Sequence, residues 1–178
     1  TENKERSFVV ASLGCYGSAL SNGAEYTGAY GEHVTIDRLV HFYQKKLQAV
    51  SSSRPDGVAF ETIPSHLECQ ALAQLLSSDD WKDPEASAWI SLACRSGAEL
   101  NDGTPLQSVL DTLRPIPLSA LQAIGFNCCD SAYLPELVRS LLIDMATHGP
   151  VRGIVLYPNS GEEWDATTSD WKEGTGCT

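Results

Sequence analysis

The stretch LQAIGFNCCDSAYLPELVRSLLIDMATHGPVRGIVLY, residues Leu121 to Tyr157, decides the fold. It opens on one apolar run, Leu121 to Phe126, and closes on another, Gly153 to Tyr157. Between them Leu134, Leu137, Val138, Leu141, Leu142 and Met145 recur at the spacing of one face of an amphipathic helix. A strand, a helix and a second strand, with both strands apolar, describe a crossover that brings the chain back parallel to itself under a helical cover.

The same alternation extends toward the N-terminus. AWISLA at Ala88 to Ala93 reads as a strand, and its helix is expected to open at Thr104, with Pro105 in the first turn, Gln107 as capping partner and Leu106, Val109, Leu110 and Leu113 on one face. GVAF at Gly57 to Phe60 precedes Ser65 and Glu68, a capping box ahead of Leu67, Ala71, Leu72, Leu75 and Leu76. FVVASL at Phe8 to Leu13 is followed, after a Gly- and Tyr-rich loop, by Ile36, Leu39, Val40, Tyr43, Leu47 and Val50 at helical spacing. The fold class is therefore α/β, with about five parallel strands alternating with helices. Two arrangements satisfy it, an open doubly wound sheet or part of an eight-stranded barrel, which needs about 250 residues. Residues after Tyr157 are polar and Gly-rich and read as loop.

Composition narrows the function classes. With 178 residues the chain can bury one good core, so residues 1–178 read as a single domain. Hydrophobic residues make up 42% and charged residues 20%, the balance of a globular protein that folds in water. Net charge is -11, from 23 acidic and 12 basic residues without a basic cluster, which argues against nucleic acid as a partner. There is no apolar run near the roughly 20 residues of a membrane helix, and TENKERSFVV has no signal core, so no membrane is expected and the address reads as cytoplasmic. Six cysteines without CxxC spacing read as reduced thiols.

In parallel α/β folds, reactive groups gather at the C-terminal strand ends. Those ends carry Gly14 to Gly17, Glu61 to Pro64, Cys94 and Arg95, Asn127 to Cys129, and Tyr157 to Glu162. Cys128 at such an end can be a nucleophile, a soft zinc ligand, or simply a small apolar residue. Cys129 should point elsewhere on an extended backbone. Glu61, stranded after an apolar run, needs a cationic partner, either a substrate ammonium or a neighbouring Lys or Arg. Asn127 suits a substrate carboxylate, the orientation of a ligand thiolate, or a plain turn. His33, His41, His66 and His148 show neither HxH nor HExxH spacing and read as surface residues. The segment LGCYGSALSNGAEYTGAYG (13–31) has no GxGxxG or Walker pattern and reads as a substrate-covering loop.

Taken together, five ordered segments resemble the homocysteine S-methyltransferase family, in its S-methylmethionine or S-adenosylmethionine branch. ASLGCYGSALSNGAEYTGAYG (11–31) is similar to that family's SIGPYGA...DGSEYTG stretch, with Cys15 in place of the usual proline. FETIP (60–64) resembles its glutamate motif, AWISLACRSGAELNDGTPL (88–106) its WISF...DGTP stretch, GFNC (125–128) its GxNC, and YPNSGEEWD (157–165) its YPNSGE. The resemblance implies a partial TIM-type (β/α)8 barrel and direct methyl transfer to homocysteine from a sulfonium donor, giving methionine. It implies a zinc cofactor held by three cysteines, of which Cys128 matches the first. The other two belong to a GGCC motif that this stretch does not contain, and the family's opening DGG and TYQA strands are also absent. Glu61 would hold the amino-acid end of homocysteine, with Asn127 shaping the pocket. Two rivals stand beside this reading: an incomplete, inactive copy of the domain, and an unrelated α/β lyase using Glu61 as base. The 178-residue stretch alone is expected to be inactive.

Overall fold

The computed structural model describes residues 7–78, 81, 87–162, 164–165, 168 and 170–176. Five strands lie side by side in chain order: β1 (Val10–Gly14), β2 (Gly57–Ile63), β3 (Ser87–Leu92), β4 (Leu121–Asp130) and β5 (Gly153–Asn159). Every neighbouring pair is parallel. A doubly wound sheet reverses its strand order at a switch point, whereas consecutive barrel units do not. The uninterrupted order favours the second arrangement.

Four helices form the cover: α2 (Ile36–Ser51), α3 (His66–Leu76), α4 (Leu106–Leu113) and α5 (Leu134–His148), each packed on the next. A short α1 (Tyr16–Leu20) precedes them. Strand residues two apart share a face. On the helical side Val58, Phe60, Ile90, Leu92, Ile124 and Phe126 join Leu72, Leu75, Leu110, Leu113 and Leu141 in one buried core. Fully burying each such side chain contributes about 1.5–3 kcal/mol. The opposite face is more polar, carrying Ser12, Glu61, Trp89, Ser91, Gly125 and Tyr157.

Several local expectations change. The 13–31 loop contains α1 and a 3-10 turn, Ala24–Tyr26. Helix α4 starts at Leu106 with Pro105 at its cap and no side-chain capping bond, while Gln107 turns instead to Asp111 and Asp144. A proline at the entry already removes one unsatisfied N–H, so Thr104 has no capping task. Only half of the Ser65–Glu68 capping box forms: Ser65 accepts from the Glu68 N–H, but the Glu68 side chain turns inward. His66 is half-buried, with Nε2 2.8 Å from the Thr112 hydroxyl, rather than on the surface. The tail is more than loop, since β5 continues to Asn159 and two short strands, β6 (Trp164–Asp165) and β7 (Asp170–Trp171), pair antiparallel.

Strands β4 and β5 leave no room for a side chain at Gly125. A Cβ placed there would lie 1.7 Å from the Val155 carbonyl oxygen. Gly125→Ala is expected to lower stability by about 3 kcal/mol or more, because backbone on backbone cannot relax as a side chain can. Gln122→Ala, at an exposed position of the same strand, should stay within about 0.5 kcal/mol. Denaturant midpoints check both, and an unchanged midpoint for Gly125→Ala would contradict the close approach.

Candidate functional site

Strand β4 runs past the end of β3, strand β2 ends level with it through a bulge, and both irregularities of the rim occur there. The β2 register shifts between Phe60 and Ile63, and the β4 register between Asn127 and Asp130. Each shift contains a non-glycine residue in the left-handed region, Thr62 at φ 62° and Cys128 at φ 49°. Bulges of this kind re-aim side chains, and strained backbone collects at functional sites.

Asn127 and Thr62 bind each other reciprocally. The Thr62 N–H donates to Asn127 Oδ1 at 3.0 Å, and Asn127 Nδ2 donates to the Thr62 hydroxyl at 2.8 Å. The same Nδ2 donates to Cys128 Sγ at 3.3 Å, and the Thr62 hydroxyl faces that sulfur at 3.7 Å. Asn127 is buried and Cys128 exposed. The vicinal pair divides as expected, because Cys129 turns into the core. Burial first, then its Cys128 and Asp130 neighbours, pushes the Cys129 thiol up, and burial does the same to Cys94. These two stay neutral core thiols.

Glu61 finds no lysine or arginine among the described residues. Its partners are hydroxyls: Ser12 donates to Oε2, and Tyr157 donates to Oε1 at 2.9 Å. The Tyr157 oxygen lies 2.5 Å from the Ser91 hydroxyl and accepts from Trp89 Nε1 at 3.2 Å. Burial is the largest cause that pushes the Tyr157 phenol up, to about 12, and the Glu61 carboxylate adds to it. The carboxylate is therefore held in place by neutral donors and keeps its charge uncompensated toward the open face. Asn159 ends β5 on the same rim.

Around this rim three loops interlock. Asn101 Nδ2 donates to the Glu25 carbonyl at 3.1 Å, Asp102 accepts from the His66 N–H at 2.7 Å, and the Asp102 N–H donates to the Pro64 carbonyl at 3.0 Å. Gly28, at φ 66°, fits where a Cβ would sit 2.6 Å from the Pro64 oxygen. Cys15 caps α1 at φ -63°, the angle a proline would impose, and its sulfur accepts from the Ser18 N–H. Cysteine thus preserves the loop shape its position requires.

Among the described residues no three His, Cys, Asp or Glu side chains converge as a metal site. Cys177 lies outside the described residues. No helix of the described residues is long and apolar enough to cross a membrane.

The homocysteine S-methyltransferase family model matches residues 1–177. The chain belongs to that family. Homocysteine S-methyltransferase 1 of Brassica oleracea var. italica is 37% identical over 166 residues, 93% of this chain and 48% of that protein. Homocysteine S-methyltransferase YbgG of Bacillus subtilis (strain 168) is 34% identical over 178 residues, 98% of this chain and 51% of that protein. Among solved structures, the metallated form of the Escherichia coli homocysteine methyltransferase MmuM aligns with a TM-score of 0.72 at 34% identity, covering 86% of this chain and 49% of that one. The chain spans about half the length of the curated relatives it matches.

Sequence reasoning located Glu61, Asn127, Cys128 and Asn159 on one rim but missed Ser12, Ser91, Thr62 and the hydroxyl role of Tyr157. A signal existed for the two serines, since each interrupts an otherwise apolar strand. No signal existed for Thr62, because a β-branched residue before Ile63 and Pro64 gives no hint of a left-handed backbone.

Tyr157 provides a pH test. Its pKa rises from an ordinary value of 10 to about 12, so the phenol donates to Glu61 through the neutral range. The associated stability is fully present below pH 10 and is lost as pH climbs toward 12. A difference ultraviolet titration of wild type minus Tyr157→Phe should show one phenol ionising near 12. Ionisation near 10 would show that the hydroxyl is not held in this network.

Proposed function

We propose that this chain provides the homocysteine-binding half of a zinc-dependent methyltransferase that carries a methyl group from S-methylmethionine or S-adenosylmethionine to homocysteine, giving methionine. The observation that carries the proposal is the shared rim of Glu61, fixed by two hydroxyl donors, and Cys128, an exposed sulfur accepting from Asn127 and Thr62. Glu61 takes the substrate ammonium, whose charge answers the carboxylate left uncompensated by neutral partners. Asn127 has its carbonyl and both amide hydrogens engaged within the protein, so it shapes the pocket and orients Cys128. The homocysteine sulfur attacks the methyl carbon of the sulfonium donor, the old carbon–sulfur bond leaves with its electrons as a neutral thioether, and the thiol proton passes to solvent. No protein nucleophile is required.

Cys128 has the chemistry of a zinc ligand, but a zinc centre needs three protein donors and the described residues gather only this one. They do not by themselves fit the metal, so no step above runs through it. When bound, zinc would favour the homocysteine thiolate. Reduced, free cysteines at 15, 69, 94, 128 and 129 suit a cytoplasmic setting. A lyase would need Glu61 as a free base, yet both of its oxygens already accept hydrogen bonds.

The full-length protein tests this reading directly. It is expected to form methionine from homocysteine and a sulfonium donor, to stop when chelated, and to keep its metal in Glu61→Gln. That substitution removes a charge-assisted bond of about 1.5–3 kcal/mol, so calorimetry should find homocysteine binding roughly ten- to a hundredfold weaker. Residues 1–178 alone should not turn over. Unchanged homocysteine affinity would reject the Glu61 role, chelator-insensitive turnover would favour the lyase, and a full-length protein without turnover would favour the inactive copy.

A further inference from the structure

Glu68 has no part in the methyl-transfer reading, yet it is the most deeply enclosed carboxylate described, with 0% of its surface exposed. Burial is the largest influence on it and pushes its pKa up, while its hydrogen bonds pull it down. Enclosing such a group is tolerable only when its oxygens are saturated. Its donors come from three separate places. Oε1 accepts from the Tyr16 N–H at 2.6 Å and from the Tyr43 hydroxyl of α2, and Oε2 accepts from the Tyr30 hydroxyl. Lys46 stands nearby but spends its ammonium on the Gly14 carbonyl at 2.7 Å, and the Cys15 and Cys69 thiols are the other titratable groups close to the carboxylate.

Two of the three donors, Tyr16 and Tyr30, belong to residues 14–31, the segment that leaves the end of β1 and crosses to the loops after β2 and β3. It meets those loops through Gly28 against Pro64 and through Glu25 against Asn101. Beneath it Tyr16 packs edge-on to Tyr30 and Phe42, with ring centroids at 5.4 and 5.2 Å. The segment cannot lift without stripping Glu68 of both donors at once and leaving a buried carboxylate with one. That makes its closure all-or-none.

We propose that Glu68 is a positioning residue: by gathering Tyr16, Tyr30 and Tyr43 it latches residues 14–31 onto the strand rim and so sets the wall of the amino-acid pocket beside Glu61. The pocket part of this rests on the homocysteine reading of Glu61; the latch itself does not. Ser12 of β1 touches Glu61 two residues before the segment begins, which is how the latch reaches the site.

The test compares Glu68→Gln, Tyr30→Phe and Arg152→Leu in the full-length protein. Arg152 is buried at the other end of β4, donating to the Leu121 and Ile116 carbonyls, and serves as a destabilised control far from the rim. Hydrogen exchange of amides 15–31 should quicken roughly tenfold or more in the first two variants and not in the control, with the β3 and β4 amides unchanged. The homocysteine KM should rise roughly tenfold in the same two, with kcat within about twofold, since the pocket wall binds the ground and transition states equally. Unchanged exchange in Glu68→Gln and Tyr30→Phe overturns the latch. An equal KM rise in Arg152→Leu at matched loss of Tm overturns the positioning role. If Glu68→Gln does not fold, Tyr30→Phe carries both readouts. Absence of homocysteine binding in wild type would count against the Glu61 reading, and the latch would then stand or fall on exchange.

Discussion

The rim depends on a side-chain amide that ties two strands together across the end of the one between them. Strand β3 pairs its last residue, Leu92, with Ile63 at the end of β2 and with Phe126, and only β4 runs on past it. Asn127, the first residue of β4 beyond that end, reaches across to the β2 bulge and pairs with both the N–H and the hydroxyl of Thr62. Without it a backbone donor on β2 would be left unpaired, and Thr62 would have no reason to hold a left-handed conformation that costs about 1–2 kcal/mol. Two neutral hydrogen bonds of about 1 kcal/mol each are of the right size to offset one such residue. The same contact fixes Cys128, whose own left-handed turn sends its sulfur outward and Cys129 inward. A single amide therefore decides which of two adjacent thiols faces the solvent side of the rim.

From this constraint the rest of the site is arranged by strand parity. Glu61 opens the β2 bulge and stays on the polar face with Ser12, Ser91 and Tyr157, so its hydrogen-bond partners come from β1 and β5. The polar face works as a preorganised set of neutral donors around one charge. The loops above it close the arrangement through Asp102 and Asn101, which tie the segments following β1, β2 and β3 together.

Much of this was legible in the sequence. The five strands and four main helices follow from periodicity, and chain-order pairing follows from the repeated βα crossover. Strand ends were less legible. Hydropathy stops at Phe60, Phe126 and Tyr157, but the strands continue to Ile63, Asp130 and Asn159, because backbone pairing does not require apolar side chains. Glu68 illustrates a second limit. Its spacing from Ser65 fits a capping box, yet tertiary packing offered the carboxylate three better donors than the Ser65 N–H. The Cys15 substitution shows the reverse, since a residue unlike proline reproduces the proline angle and adds a cap.

On the proposed function, Cys128, set outward by Asn127 and Thr62, is the sulfur this half of the molecule would offer to the metal. X-ray absorption at the zinc edge of the full-length protein and its Cys128→Ser variant measures that most directly. The account predicts a sulfur shell at about 2.3 Å that loses one member in the variant, with an oxygen or nitrogen in its place. A sulfur shell unchanged by the substitution would contradict it.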